Sequence, residues 1–359
     1  MKLKFAIVGA VACCLASTSI ATAASAQGAD TRRLMTVDDL HAVKDVSTPA
    51  ISPDGNTVAY VVSVNDVKRD SIISDVWLVG YDGARPRQFT KADDKSESSP
   101  KFSPDGRSLA YLGSAKDETT QIFLRSLTGG PVRQVSSVDG GVIDFDWAPD
   151  GSKIVVSAFV GGAKANAAGT EAPIVIDRFQ YKEDWVGYLA AARRHLLVVD
   201  VKSGNAQQIT HGAQDHWLPA WSPDGASIAY VSKDQGDADR NLDTDVFVIP
   251  ADGAGEARRV STFRGTDVDP YWASPPVWSP DSKKLAWLQS GESKWIYYAP
   301  WQLTVADLET GENMPLARVD RNFYEPKWSA DGSALFALME GNLSTWLVRI
   351  DAKTGDIKK

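Results

Sequence analysis

Pro219-Ala-Trp-Ser-Pro-Asp-Gly225 is one of six copies of a short phrase in this sequence of 359 residues. The other copies are Pro49-Ala-Ile-Ser-Pro-Asp-Gly55, Pro100-Lys-Phe-Ser-Pro-Asp-Gly106, Phe145-Asp-Trp-Ala-Pro-Asp-Gly151, Pro276-Val-Trp-Ser-Pro-Asp-Ser282 and Pro326-Lys-Trp-Ser-Ala-Asp-Gly332. The phrase aspartates lie 51, 45, 74, 57 and 50 residues apart along the chain. Self-similarity at such a period indicates a repeat architecture.

Each copy of the phrase predicts a turn followed by a strand. Proline presets its own φ, aspartate bonds nearby backbone, and glycine accepts a positive φ. The runs that follow, such as Ser227-Ile-Ala-Tyr-Val231, are β-branched and aromatic, which suits a half-buried strand. A second strand pair with its own turn completes each unit, as in Asp245-Val-Phe-Val-Ile249 before Asp252-Gly253. Four strands per unit predict an all-β chain, a β-propeller with six four-stranded blades.

Three details refine this prediction. The 74-residue spacing holds an insertion at about residues 161–192. The chain stops at Thr354-Gly-Asp-Ile-Lys-Lys359 without a closing pair such as Phe89-Thr90, so the propeller is expected to be incomplete at its C-terminus. A β-sandwich is the rival architecture, and the regular repeat argues against it.

The phrase aspartates suggest turn chemistry rather than a metal site. One aspartate per blade, each in a separate turn, does not converge on a single ion, and an Asx-type turn explains all six. The aromatic residue of the phrase is predicted to end the preceding strand and to pack between neighbouring sheets. No metal ligand and no cofactor site are predicted.

Residues 1–26 have the pattern of a secretory signal peptide. Met1-Lys-Leu-Lys4 is basic, residues 5–20 are apolar, and Ala24-Ser-Ala26 is a small-residue cleavage site. Cys13 leaves a lipid anchor open as an alternative, although the residues before it form a poor lipobox. The expected location is periplasmic or secreted, with no membrane span after cleavage. Residues 27–48 then form a short N-terminal segment with at most one short helix, and residues 49–359 form the propeller.

The charge of the chain excludes one class of partner. The formal net charge is −8, and removal of the signal, which holds two lysines and no acids, would take it to −10. An acidic chain without a basic stripe argues against nucleic-acid binding.

The opening and the insertion resemble one family. Leu34-Met-Thr-Val-Asp-Asp-Leu40 and the insertion segment Ile176-Asp-Arg-Phe-Gln-Tyr-Lys-Glu-Asp-Trp-Val-Gly-Tyr-Leu189 are similar to segments of the prolyl oligopeptidase family, in its bacterial acylaminoacyl-peptidase and dipeptidyl-peptidase branch. The phrase alone is less specific, because this WD40-like PD40 repeat is shared with Tol-Pal propellers. The resemblance covers about residues 34–359.

The resemblance implies a propeller that precedes an α/β-hydrolase domain and filters its peptide substrates. No Gly-x-Ser-x-Gly nucleophile elbow occurs in the sequence, and the four histidines are His41, His195, His211 and His216. These 359 residues are therefore expected to be non-catalytic alone, and no catalytic residue is assigned.

The insertion supplies the candidate substrate-binding residues. A peptide ammonium would pair with Glu183 or Asp184, and nearby aromatic side chains would hold the next residue. The full candidate set is Arg178, Tyr181, Glu183, Asp184, Trp185 and Tyr188, with simple solvation of a charged loop as the competing interpretation. Residues 264–272 either line the channel mouth or form a packed connection, and Arg193 and Arg194 are interpreted as charges on the rim.

Two other functions stay open from sequence. A Tol-Pal-like periplasmic propeller would act as a protein-binding scaffold, with periplasmic proteins as partners. A lactonase or glycosidase would place convergent carboxylates or metal ligands in the central channel.

Overall fold

The structure is a computed structural model. It describes residues 33–91, 95–116, 119–161, 173, 175–176, 178–184, 187–189, 192–234, 237–272, 274–295 and 298–359. The predicted signal peptide, with Cys13 and the cleavage site at Ala26, and the candidate Trp185 lie outside these residues.

The described strands form six four-stranded antiparallel sheets, which are the blades of a propeller. Blade 1 contains β1 (Asp45–Ile51), β2 (Thr57–Asp66), β3 (Ser71–Gly80) and β4 (Arg87–Gln88). Blade 2 contains β5 (Ser98–Phe102), β6 (Ser108–Ser114), β7 (Thr120–Ser126) and β8 (Arg133–Gln134). Blade 3 contains β9 (Val142–Trp147), β10 (Lys153–Val160), β13 (Arg193–Asp200) and β14 (Ala206–Gln208), and the insertion between β10 and β13 adds the hairpin of β11 (Lys182–Glu183) and β12 (Gly187–Tyr188).

The remaining blades follow the same order. Blade 4 contains β15 (His216–Trp221), β16 (Ser227–Ser232), β17 (Asp245–Pro250) and β18 (Arg258–Arg259). Blade 5 contains β19 (Val277–Trp278), β20 (Lys284–Gln289), β21 (Gln302–Asp307) and β22 (Asn313–Ala317). Blade 6 contains β23 (Phe323–Trp328), β24 (Ala334–Glu340), β25 (Thr345–Asp351) and β26 (Ile357–Lys358). In the described part of the chain, three short 3-10 helices span Val37–Ala42, Pro270–Trp272 and Ser293–Trp295.

The predicted six-bladed architecture is confirmed, with two differences in detail. The first strand begins at Asp45, ahead of the predicted boundary at residue 49, because Asp45 to Ser47 pair with Val61 to Ser63. The sixth blade has all four strands: Ile357 and Lys358 pair with Ile350 and Arg349. A closing polar pair is therefore not needed to form the outer strand.

The phrase turns have the predicted chemistry. In blade 4, the hydroxyl of Ser222 donates to Asp224 Oδ1 at 2.6 Å, and the backbone N–H of Ala226 donates to the same oxygen at 2.9 Å. Gly225 closes the turn at a φ of +75°. The Ser222 hydroxyl is the main reason that the pKa of Asp224 is lowered. Each phrase aspartate is thus held in its own turn.

Five apolar cores hold the blades together, one between each pair of consecutive blades from 1 to 6. The phrase aromatic ends the inner strand of its blade and adds a polar link to the blade before it. The indole N–H of Trp278 donates to the carbonyl of Ala220 at 3.0 Å, and that of Trp328 donates to the carbonyl of Val277 at 3.1 Å. The predicted packing between sheets is therefore present, with a hydrogen bond added.

Among the described residues, no helix has the length and apolar character needed to cross a bilayer.

Candidate functional site

The two faces of the propeller carry different connections. Because the strands of each blade are antiparallel and consecutive, the phrase turns and the turns between third and fourth strands share one face, named here the turn face. The loops between second and third strands and the links between blades share the other, named here the loop face. The insertion and residues 260–276 both belong to the loop face.

A cavity of about 260 Å³ opens on the loop face around blades 4 to 6. Apolar and aromatic side chains dominate its lining, with a few polar groups among them. The lining includes Trp217, Lys233, Leu242, Asp269, Tyr271, Trp301 and Asn322. This composition is typical of a site for a small ligand or a side chain, where apolar walls bind and a few polar groups orient.

The polar groups of the cavity are held in place. Lys233 Nζ donates to the carbonyl of Asn241 at 2.8 Å, and burial lowers the pKa of Lys233 despite several nearby carboxylates. The N–H of Tyr271 donates to Asp269 Oδ1 at 2.9 Å, and burial raises the pKa of Asp269. Asn322 Oδ1 accepts the N–H of Trp301 at 2.8 Å. The cavity therefore presents one carboxylate and one amine at fixed positions.

Residues 264–272 form the packed connection that was one of the two alternatives from the sequence, and they also border the cavity. Thr266, Asp269 and Tyr271 line the cavity. Asp267 is fully buried, and its Oδ1 accepts hydrogen bonds from Trp287 Nε1 at 2.8 Å and Gln289 Nε2 at 2.7 Å. The segment is both a packed connection and a wall of the cavity.

Two predicted binding residues of the insertion are engaged in ion pairs. Arg178 Nε donates to Asp239 Oδ2 at 2.9 Å, which ties the insertion to the loop after β16. Both carboxylate oxygens of Glu183 accept from Arg194 Nη2, at 2.7 and 2.8 Å. Glu183 is thus committed to an internal cation, so an incoming ammonium would have to compete with Arg194.

Arg194 is not the rim charge expected from the sequence. Its side chain is only 6% exposed, lying 4.8 Å from the Phe159 ring centroid, and its backbone N–H donates to Asp215 Oδ1 at 2.7 Å. Arg194 is the first of six consecutive buried residues in β13, and it lies between blades 3 and 4. Arg193, the residue before it, is half-buried and donates to the carbonyl of Ala213.

The other candidates of the insertion lie on the surface. Tyr181 and Tyr188 are exposed and stack with ring centroids 6.3 Å apart, and Lys182 Nζ lies 5.9 Å from the Tyr188 ring centroid. Asp184 is exposed in the turn of the hairpin. Of the two acids proposed to hold an ammonium, Asp184 is the one on the surface.

Charged side chains in the central channel were not singled out from the sequence. Lys101 Nζ lies 3.5 Å from Asp144 and 3.9 Å from Asp146. Burial alone would lower the pKa of Lys101, but these two carboxylates leave it raised. Lys327 of blade 6 also approaches, and its pKa is lowered by burial and then by repulsion from Lys101.

The position of these channel residues within the phrase could have identified them from the sequence. Lys101, Asp146 and Lys327 all precede the phrase aromatic, at a position on the inner strand of the blade. Inner strands line the axis of a propeller, so charges at this position meet in the channel.

Three histidines cluster beside the insertion. The ring of His195 lies 5.1 Å from that of His216 and 6.5 Å from that of His211, measured between centroids. His216 is buried, and its Nδ1–H donates to the carbonyl of Arg194 at 3.0 Å. Burial lowers the pKa of His216 to about 4. The folded protein therefore holds this imidazole neutral at pH values where an unfolded chain would protonate it.

The His216 site predicts a loss of stability in acid. Between the unfolded pKa near 6.5 and the folded pKa near 4, the imidazole of His216 is protonated in the unfolded chain but neutral in the folded chain. The free energy of unfolding therefore falls as pH falls through this range. The slope from this group approaches about 1.4 kcal/mol per pH unit. In denaturant titrations from pH 7 to 4, the free energy of unfolding of the wild type should fall relative to that of His216→Gln as the pH falls. Parallel profiles would contradict the assignment.

Comparison with known proteins places the fold among peptidases. The chain is 30% identical over 224 residues to the uncharacterized peptidase YuxL of Bacillus subtilis, covering 61% of this chain and 34% of that protein. It is 26% identical over 357 residues to dipeptidyl-peptidase 5 of Porphyromonas gingivalis, covering 92% of this chain and 50% of that protein. The chain is a homologue of these peptidases. The predicted resemblance to the acylaminoacyl-peptidase and dipeptidyl-peptidase branch is confirmed.

A solved structure supports the same fold. Pyrococcus horikoshii acylaminoacyl peptidase superposes with a TM-score of 0.67 at 17% identity, over 89% of this chain and 46% of that chain. No family model matches the sequence. The propeller homologue thus spans about half the length of the dipeptidyl-peptidase and about a third of YuxL.

Proposed function

We propose that this propeller is the substrate-gating part of a secreted serine peptidase of the prolyl oligopeptidase family. The observation that carries the proposal is homology to dipeptidyl-peptidase 5 through 92% of this chain. The propeller contributes selection and binding in this proposal. The nucleophile belongs to a hydrolase domain outside these residues, since they contain no Gly-x-Ser-x-Gly.

The loop face supports a role in peptide binding. Trp217, Leu242 and Tyr271 offer apolar surface to a peptide side chain, and Asp269 and Lys233 lie beside them as charged groups of opposite sign. A peptide carries both an apolar side chain and polar backbone groups, so this mixture suits it. The Arg178–Asp239 and Arg194–Glu183 ion pairs tie the insertion to blades 3 and 4. They line a smaller pocket that shares Trp217, Lys233 and Tyr271 with the cavity.

Peptide binding is tested by calorimetry on the chain from residue 33 to residue 359. The probe is the unblocked tripeptide Ala-Phe-Leu, and the test variant is Tyr271→Ala, whose side chain is 65% exposed. We expect the variant to bind about tenfold more weakly, the usual cost of removing an aromatic contact at the centre of a site. Tyr81→Ala is the matched control, because Tyr81 is similarly exposed, at 72%, but lies on the turn face.

Two results would contradict this function. One is a wild-type chain that binds no tripeptide, and the other is equal weakening in Tyr271→Ala and Tyr81→Ala. Retention of a folded periplasmic protein without peptide binding would favour the scaffold alternative. The chain alone is also expected to leave aminoacyl chromogenic substrates unhydrolysed, and turnover that survives serine-reactive inhibitors would argue against a serine peptidase.

A further inference from the structure

A further pocket adjoins the cavity on the loop face, where blades 5 and 6 meet. Its volume is about 210 Å³, and we name it the blade 6 pocket. Polar side chains dominate its lining, which includes Tyr298, Asp320, Arg321, Asn322 and Glu340. The blade 6 pocket shares Ala299 and Asn322 with the cavity, so a single extended ligand can enter both.

The carboxylate of Glu340 is held at a fixed position in this pocket. Its Oε1 accepts from the hydroxyl of Tyr324, and its Oε2 accepts from Asn322 Nδ2 at 3.0 Å. The amide of Asn322 is itself oriented, because its Oδ1 accepts the backbone N–H of Trp301 at 2.8 Å. These bonds, that of Tyr324 first, lower the pKa of Glu340, so the carboxylate is charged at neutral pH.

The charge of Glu340 is held by neutral donors. In the described part of the chain, no lysine or arginine forms an ion pair with its carboxylate. Arg321 also lines the pocket, but its Nη1 donates to the carbonyl of Asp320, and its charge contributes less to the low pKa of Glu340 than the hydrogen bonds do. Glu183 differs, because Arg194 already occupies both of its oxygens. An incoming cation at Glu340 therefore displaces no fixed ion pair.

The remaining acceptor positions of Glu340 match a guanidinium. A carboxylate offers about four lone pairs, two on each oxygen. Tyr324 and Asn322 take one on each oxygen, so one acceptor position stays open on each. A guanidinium presents paired N–H groups that bond to both oxygens of a carboxylate, whereas an ammonium is a point charge. The volume of the pocket equals about seven water molecules at about 30 Å³ each, which is room for a side chain rather than for a peptide ammonium alone.

We propose that the blade 6 pocket binds an arginine side chain of the peptide whose apolar side chain occupies the cavity, with Glu340 as the counter-ion. This inference rests on the proposed function, because it names the class of peptide that the loop face selects. Side chains two residues apart in an extended peptide point the same way and lie about 6.7 Å apart along the chain. The arginine is therefore placed two residues from the apolar residue.

The proposal is tested by calorimetry with two matched peptides. The probe is the unblocked pentapeptide Arg-Ala-Phe-Ala-Arg, whose symmetry makes the direction of binding irrelevant. Its partner carries citrulline in place of both arginines, which keeps the shape of the side chain and removes the charge. We expect the arginine peptide to bind about tenfold more tightly, the usual contribution of a hydrogen-bonded charge. A peptide with lysine at both positions should fall between the two.

A matched pair of variants assigns the preference to Glu340. Glu340→Gln keeps the size of the side chain and removes its charge, so the arginine and citrulline peptides should then bind with equal affinity. Glu309→Gln is the control, because Glu309 is an exposed acid in the turn between β21 and β22, on the turn face. That variant should keep the full preference for arginine. Tyr271→Ala should weaken both peptides by the same factor, because Tyr271 lines the cavity.

Two results would overturn the arginine subsite and leave the proposed function in place. The first is equal affinity of the wild type for the arginine and citrulline peptides while Ala-Phe-Leu still binds. The second is a preference for arginine that survives Glu340→Gln, which would assign the cation to another acid such as Asp269. Failure of every peptide to bind, Ala-Phe-Leu included, would overturn both proposals. The comparison of the two pentapeptides uses the wild type alone, so it decides even if Glu340→Gln does not fold.

Discussion

Replacing Arg194 by alanine is expected to lower the free energy of unfolding by about 3–5 kcal/mol, the range for removing one partner of a buried ion pair. The guanidinium donates twice to Glu183, and its Nη1 lies 3.9 Å from Asp215 Oδ2. Both acids are largely buried, with side chains 11% and 13% exposed. Without Arg194, two largely buried carboxylates lose the guanidinium that both approach, and the cost is that of poorly compensated charge.

The chain contains a close control for this prediction. Arg193→Ala removes the same side chain one residue earlier, where its bonds to described residues are to the carbonyls of Ala213 and Ala192. That change should alter stability by less than about 0.5 kcal/mol. Chemical denaturation of both variants at pH 7 makes the comparison. Equal effects would show that Arg194 contributes no more than an ordinary rim charge.

A double-mutant cycle tests whether the loss of stability in Arg194→Ala comes from its ion pair with Glu183. Glu183→Gln alone leaves Arg194 with Asp215 as its remaining anion, so we expect a smaller loss than in Arg194→Ala. When the two changes are combined, the loss should fall well short of the sum of the single losses, because the residues interact directly. Additive losses would mean that the hairpin of β11 and β12 moves away and hydrates Glu183 when the arginine is removed.

The propeller was predictable from sequence because its information is local and repeated. The phrase encodes a turn in which Ser222, Asp224 and Gly225 need only their own neighbours, so a short string determines the geometry. The same string placed Trp278 and Trp328 between blades. Six copies of the phrase predict a repeat architecture more firmly than a single copy would.

The candidate site was less predictable because it depends on contacts between distant segments. Arg178 meets Asp239, 61 residues away, and nothing in either segment specifies the other. Arg193 and Arg194 are identical in type and adjacent, yet Arg193 is half-buried and Arg194 begins the buried run of β13. Composition does not distinguish them, and the period of the strand does not either, because residues 194–199 are all buried.

Asp267→Asn is expected to stabilise the protein above neutral pH. Asp267 is fully buried, and burial, with the charge of Asp245 as a further contribution, raises its pKa to about 7. Its Oδ2 is buried, and no described residue bonds to it. From pH 4 to 7 the unfolded chain releases this proton while the folded chain keeps it, so the group makes the free energy of unfolding fall as pH rises. The full penalty at pH 8 approaches about 4 kcal/mol.

Asparagine preserves the shape and the useful acceptor of this site. Its amide oxygen can still accept from Trp287 and Gln289, and its neutral charge removes the penalty. Denaturant titrations should therefore show a stabilisation of Asp267→Asn that is large at pH 8 and small at pH 4. Asp267→Leu is the control, because it removes the charge and the acceptor together and leaves the Trp287 indole unbonded.

The pH dependence that Asp267 gives to the free energy of unfolding is opposite in sign to that of His216. The contributions of the two groups can therefore be distinguished by measuring stability against pH. Acidification relieves the penalty at Asp267 and imposes one at His216, so the wild type is expected to change little in stability between pH 4 and 7 from these two sites. Each variant should show the pH dependence of the group that remains. Asp267→Asn should lose stability in acid because of His216, and His216→Gln should lose stability as pH rises because of Asp267. A wild-type profile that is flat while both variants slope in these opposite directions would support both assignments. A stabilisation of Asp267→Asn that is equal at pH 4 and pH 8 would show that packing, rather than the proton, accounts for it.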